Sequence, residues 1–283
     1  MLRIYSIQTD GTGYKMLLKL DPKLASQRKV GALPTPKLVI NPAGSMLLVS
    51  LFEGAFGKLL VIGLNESALK AAAITDETSD PIDAVFSPDG MKIVFSSPDP
   101  AGGQAYLNQI NADGQNKTLF KRNAFSAEYS SDGSRIVFQR GEAILVCNAD
   151  GSGERVLMEM HTLLPFRPSF NPANANEILF MKEDAGGIPV ITTVSTVDGN
   201  QRTLTTGLEN KIAPFFSARF TPDGRKLIFS VTGTQTRVDL YMANADGGAA
   251  RKLTDAGEYK RFFEPAVSPD GKTMYFLGDE PRT

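Results

Sequence analysis

Six residues able to hold a polar ligand recur at one place in a repeat: Lys37, Asp83, Ser126, Arg167, Ser217 and Glu264, each four positions before the Ser, Thr or Asn that opens a turn. Two cations, two carboxylates and two hydroxyls around one opening would grip a peptide or a small polar molecule through charge-assisted hydrogen bonds. Alternatively, opposite charges on neighbouring units pair with each other and with water, and each pair then contributes little. One position earlier stand Pro36, Ile82, Phe125, Phe166, Phe216 and Phe263, an apolar column whose regularity points to packing between units. Phe215 and Phe262 add a second aromatic beside that column, and the loop from Asp255 offers Tyr259, Lys260 and Arg261. Aromatic residues and Arg are enriched at interfaces, so Phe215, Phe262, Tyr259 and Arg261 join the six as the expected partner contact.

Catalytic readings are poorer. The chain has one histidine, His161, which limits proton shuttling or a histidine metal site to a single imidazole. Gly-x-Ser-x-Gly is absent, so a nucleophile elbow has no candidate. The GSGE run at Gly151 belongs to a hairpin turn and opens no helix, which removes a phosphate-loop reading. An acidic stretch with Asp76, Glu77, Asp80 and Asp83 has oxygen ligands for calcium but no fixed ligand spacing, so a solvated loop is the expectation. No catalytic residue, cofactor or metal is expected.

The elements that position these residues are hairpins. FSPDGMKIVF begins at Phe86, YSSDGSRIVF at Tyr129, FTPDGRKLIF at Phe220 and VSPDGKTMYF at Val267. Pro presets the first corner, Asp caps the turn through its side chain, and Gly takes the positive φ that other residues resist. Between turn glycines Gly44, Gly90, Gly133, Gly224 and Gly271 the steps are 46, 43, 91 and 47 residues, so one repeat is hidden in the 91. It is NPANANEILF from Asn171, and NPAGSMLLVS from Asn41 is the other degenerate copy. A second turn follows in most units, as NADG at Asn111, Asn148 and Asn244 and TVDG at Thr196. Four strands in about 40 to 45 residues is the period of a propeller blade.

The last unit stops after its first hairpin, and the chain begins with the missing half, LRIYSIQTDGTGYKMLLKL from Leu2. This predicts a single domain over 1–283: an all-β, six-bladed β-propeller of four-stranded antiparallel blades, the sixth shared between 1–20 and 262–283. N-terminal strands joining the C-terminal hairpin would close the ring and remove exposed sheet edges.

The pairing of S-P-D-G with a later N-A-D-G and a terminal Leu-Thr, as at Ser268 and Leu253, resembles the TolB-like (WD-like) propeller repeat family of bacteria, over essentially the whole chain. The resemblance implies a periplasmic protein-interaction role. Related propellers also serve as non-catalytic domains of peptidases and as a few carbohydrate lyases.

Composition bounds the partners. With 30 basic and 31 acidic residues there is no electrostatic case for nucleic acid. No continuous apolar stretch is long enough for a membrane span. The one cysteine, Cys147, is expected as a small buried hydrophobe. Met1 stands directly before a required strand, as though a leader or upstream domain had been trimmed, so the expected compartment is periplasm or envelope with a leader and cytoplasm without one. The functional expectation is a non-enzymatic monomer that binds a protein or peptide over the loop face and channel mouth. The alternatives are a carbohydrate-active lyase or hydrolase, or a domain of a larger peptidase or envelope protein.

Overall fold

The structure, a computed structural model, describes residues 2–21, 23–25, 36–53, 56–65, 68–75, 80–99, 105–159, 167–211, 218–233, 237–255 and 261–279. Its turns are built as their residue types require. In the turn at Ser87, the Gly90 amide donates to the Ser87 carbonyl (2.8 Å) and the Met91 amide to Asp89 Oδ1 (2.9 Å). The Lys92 amide donates to Ser87 Oγ (2.9 Å), and that hydroxyl donates to Asp89 Oδ1 (2.5 Å). Gly90 sits at φ 72°, a region costly for any residue with a Cβ. Ser130, Thr221 and Ser268 repeat the pattern with Asp132, Asp223 and Asp270. Hydrogen bonds from the Ser130 hydroxyl and from Ser134 hold the Asp132 carboxyl down at about 2, so the cap stays ionised. At the degenerate turn Asn41 stands in, its Oδ1 accepting from the amides of Ser45 and Met46, both at 2.9 Å.

Four separate blades of four consecutive strands follow. Blade I is Lys37–Ile40, Met46–Glu53, Phe56–Gly63 and Ala71–Ala73, with a short extra strand, Leu24–Ala25, on its second strand. Blade II is Ile82–Phe86, Lys92–Ser97, Tyr106–Asn111 and Thr118–Lys121; blade III is Phe125–Tyr129, Arg135–Arg140, Ala143–Asn148 and Arg155–Glu159. Blade IV is Ser169–Asn171, Asn174–Glu183, Pro189–Ser195 and Gln201–Leu204.

This corrects the expectation of a six-bladed propeller: four blades are present among the described residues, and the remaining strands do not form two more. Arg219–Phe220, Lys226–Thr232, Val238–Asn244, Arg251–Lys252, Arg261–Val267, Thr273–Asp279, Leu2–Gln8 and Lys15–Lys19 form one eight-stranded sheet. The physical reason is the short fourth strand of this run. Arg251–Lys252 covers only Tyr241 and Met242, which leaves the Val238 end of its partner open, and Arg261 pairs there in parallel. Within the same sheet Leu2–Gln8 pairs antiparallel with Thr273–Asp279 from Leu2↔Asp279 to Gln8↔Thr273, so the first strand of the chain covers what would be an open edge.

The core lies between the faces of neighbouring sheets. Its regular element is a phenylalanine on the second strand of the hairpin: Phe95, Phe138, Phe180, Phe229 and Phe276 are each at most 1% exposed. Phe276 stacks on Tyr5 of the first strand (centroids 5.5 Å apart) and meets Phe262 edge-on (5.2 Å). Gly278 makes room for this cluster, since a Cβ there would stand 2.6 Å from Tyr5 Cε2. Cys147 is buried as expected, and burial pushes its thiol up to about 11. Among the described residues no helix is long and apolar enough to cross a membrane.

Because Phe276 joins strands from both ends of the chain, Phe276→Ala is expected to cost about 3–5 kcal/mol. Urea unfolding measures it, and a loss under about 1 kcal/mol would show the junction to be unimportant.

Candidate functional site

The first strands pack beside one another about the centre: Arg261–Val267 on Lys37–Ile40, that strand on Ile82–Phe86, then Phe125–Tyr129, then Ser169–Asn171. At the expected site position the backbone is unusual. Asp83, Ser126, Arg167 and Glu264 all have positive φ, at 53°, 52°, 42° and 53°. In three of them the cause is visible in the ladder, where the register shifts between Ile82 and Val85, Phe125 and Glu128, and Phe263 and Ala266. Each is a β-bulge, which re-aims the side chain of the extra residue. Left-handed backbone is disfavoured for residues with a Cβ, and such strain persists only where surrounding structure fixes it. Lys37 reaches the centre differently, from a regular pair with Ser50.

The side chains so aimed are buried rather than open at a mouth. Lys37 is 3% exposed, Asp83 2%, Ser126 2%, Arg167 7% and Glu264 0%. They pair in opposite charges: Lys37 Nζ stands 2.8 Å from Asp83 Oδ1, and Arg167 Nη1 donates to Glu264 Oε1. The first joins neighbouring blades; the second joins blade IV to the eight-stranded sheet. Burial pushes the Asp83 carboxyl up, but the charges of Lys37 and Arg167 outweigh it and hold the group well below the usual carboxylate range. The Ser126 hydroxyl beside Asp83 lowers that carboxyl further, and Ser169 Oγ is buried without a hydrogen-bond partner. The Ser126 amide donates to Ser96 Oγ (3.1 Å), fixing the bulge against blade II.

A third pair was not foreseen. Arg219 Nη1 donates to Glu128 Oε2 at 2.9 Å, two residues nearer the turn than the expected position. The two-residue period of a strand gave no guide to it, because the bulge at Ser126 interrupts the alternation before Glu128. Burial disfavours the Arg219 charge, but Glu128, then Glu264 and Asp83, outweigh it and raise the group, so the three ion pairs form one electrostatic cluster.

The other expected contacts are placed elsewhere or not described. Phe262 is 1% exposed and belongs to the aromatic core cluster, not to a surface, because its strand is buried on both faces. Arg261 grips Asp279 through Nε (2.9 Å to Oδ1) and Nη2. Ser217, Phe215 and Tyr259 lie outside the described residues, as do His161, Phe166 and Phe216. In the apolar column Pro36, Ile82 and Phe263 are buried, in keeping with packing. Among the described residues no three His, Cys, Asp or Glu side chains converge as a metal site would need.

Comparison with known proteins agrees with this architecture. The model of the TolB beta propeller domain matches residues 25–217. A putative TolB from Agrobacterium tumefaciens superposes with a TM-score of 0.78 at 17% identity, covering 99% of each chain. TolB from Acinetobacter baumannii gives 0.67 at 14% identity over 99% of this chain and 64% of that one. Oligogalacturonate lyase from Vibrio parahaemolyticus gives 0.55 at 11% identity over 99% and 97%. No curated protein matches the chain.

Two outcomes test the buried cluster. Lys37→Met, which strands the Asp83 charge, is expected to cost about 3–5 kcal/mol in urea unfolding. Because Asp83 titrates lower folded than unfolded, its stabilisation is present above its unfolded value of about 3.9 and lost as pH falls below it. Asp83→Asn should therefore flatten the acid side of the stability profile between about pH 5 and pH 2; an unchanged acid limb would contradict the assignment.

Proposed function

Because the chain belongs to the TolB β-propeller family, we propose that it works as a non-catalytic binding module, taking a protein or peptide partner over the face where the first strands begin. One observation carries this reading. The same strained bulge recurs at Asp83, Ser126 and Glu264 and aims polar groups at one central place. Strained positions cluster at ligand clamps. The paired charges hold that constellation rigid and electrically balanced. A partner docking on the loop face would meet this constellation, since binding contacts concentrate where a rigid scaffold holds loops. The compartment that fits this role is the periplasm or cell envelope.

The test is affinity capture with the immobilised protein, each captured species identified by mass spectrometry. Ser126→Ala at the centre and Tyr259→Ala in the adjoining loop are expected to weaken capture of the same protein severalfold. Met91→Arg, on the turn face where Met91 is 70% exposed, should leave it unchanged. Capture lost in Met91→Arg and kept in the other two would overturn the reading.

A further inference from the structure

The opposite end of the centre carries a second concavity, independent of the reading above. A cavity of about 390 Å³ opens among the turns, rimmed by Pro42, Pro88, Pro172, Pro222 and Pro269. The rim is interlocked: a Cβ on Gly90 would stand 3.5 Å from Pro42, one on Gly133 3.8 Å from Pro88, and one on Gly44 3.2 Å from Pro269. Its walls are apolar, with Val39, Val85 and Ala266, and Arg219 and Glu128 are its charged lining. Pockets of this size with an apolar lining and a few placed polar groups are the usual form of a small-molecule site.

The polar end of the cavity is incompletely matched. Arg219 donates from Nη1 to Glu128. Its Nε is sealed from solvent, so the 16% exposure of the side chain lies on its other atoms. A guanidinium that has used Nη1 on one carboxylate keeps Nη2 to donate to a second. Glu128 is 22% exposed and already occupied on Oε2. A cavity of about 150 Å³ suffices for benzene, so the volume accommodates an aromatic ring and a short acid chain.

We propose that the proline-rimmed cavity binds a small free carboxylic acid with an apolar body, the carboxylate accepting from Nη2 of Arg219 and the body among Val39, Val85, Ala266 and the prolines. Nothing in the loop-face reading assigns a role to this end of the molecule.

The experiment titrates 3-phenylpropanoate into the intact protein, followed by calorimetry and by amide NMR shifts. Saturable binding is expected, with shifts centred on Val85, Glu128 and Arg219, and 3-phenylpropanamide should bind at least tenfold more weakly. Arg219→Gln should weaken the acid tenfold or more, with its thermal unfolding measured alongside. Glu128→Gln, which keeps the arginine and removes the competing carboxylate, should tighten binding severalfold, so the idea stays testable if Arg219→Gln fails to fold. No saturable binding at millimolar acid, equal binding of the amide, or a Glu128→Gln variant that binds no better would overturn it. Binding of Gly-Gly-Phe but not of the free acid would also overturn it, pointing to a peptide C-terminus as the occupant.

Discussion

A charge taken out of water must meet an opposite charge, and the centre of this molecule is arranged around that constraint. Six ionised side chains stand on the first strands or directly before them, and they face one another as Lys37 with Asp83, Arg167 with Glu264, and Arg219 with Glu128. Replacing such pairs by apolar residues is often neutral for stability, whereas removing one partner is costly. Their value therefore lies less in net stabilisation than in fixing which strand faces which. Arg167 with Glu264 and Arg219 with Glu128 each tie elements more than ninety positions apart, and so set the arrangement of the sheets about the axis.

The periphery answers a different constraint, the unpaired strand edge. The pairing of Leu2–Gln8 with Thr273–Asp279 and the bridge from Val238 to Arg261 make one continuous eight-stranded sheet of strands drawn from both ends of the chain. The aromatic cluster of Tyr5, Phe262 and Phe276 then seals the junction from the side. The two ends of the centre differ in character as a result. One holds strained, buried polar groups; the other is a proline-rimmed apolar cup with Arg219 and Glu128 as its charged lining.

Much of this was legible in the sequence, for physical reasons. A Ser-Pro-Asp-Gly turn has a nearly unique backbone solution, so each hairpin could be placed, and the half-units at the two ends indicated that they pair. Counting back from the turn located five described residues that converge. Other features left no trace. Sheet continuity through Val238 depends on how short the Arg251–Lys252 strand is, and residue types say little about strand length. Phe262 beside Phe263 looked like a spare surface aromatic, yet a first strand enclosed on both faces buries two adjacent side chains. The left-handed positions are occupied by Asp, Ser, Arg and Glu rather than Gly or Asn, so no turn signature marks them. Glu128 and Arg219 occupy a position that is apolar or small in other units, such as Val85 and Ala266, and a search for repeated chemistry passes over them.

The central claim is that opposed ion pairs at the axis hold distant units together, and a double-mutant cycle on Arg167 and Glu264 tests it most directly. Arg167→Met, Glu264→Gln and the double variant would be compared by urea unfolding. The account predicts a coupling of about 2–3 kcal/mol, with the double variant far more stable than the two single losses would add up to. Additivity within about 0.5 kcal/mol would contradict it.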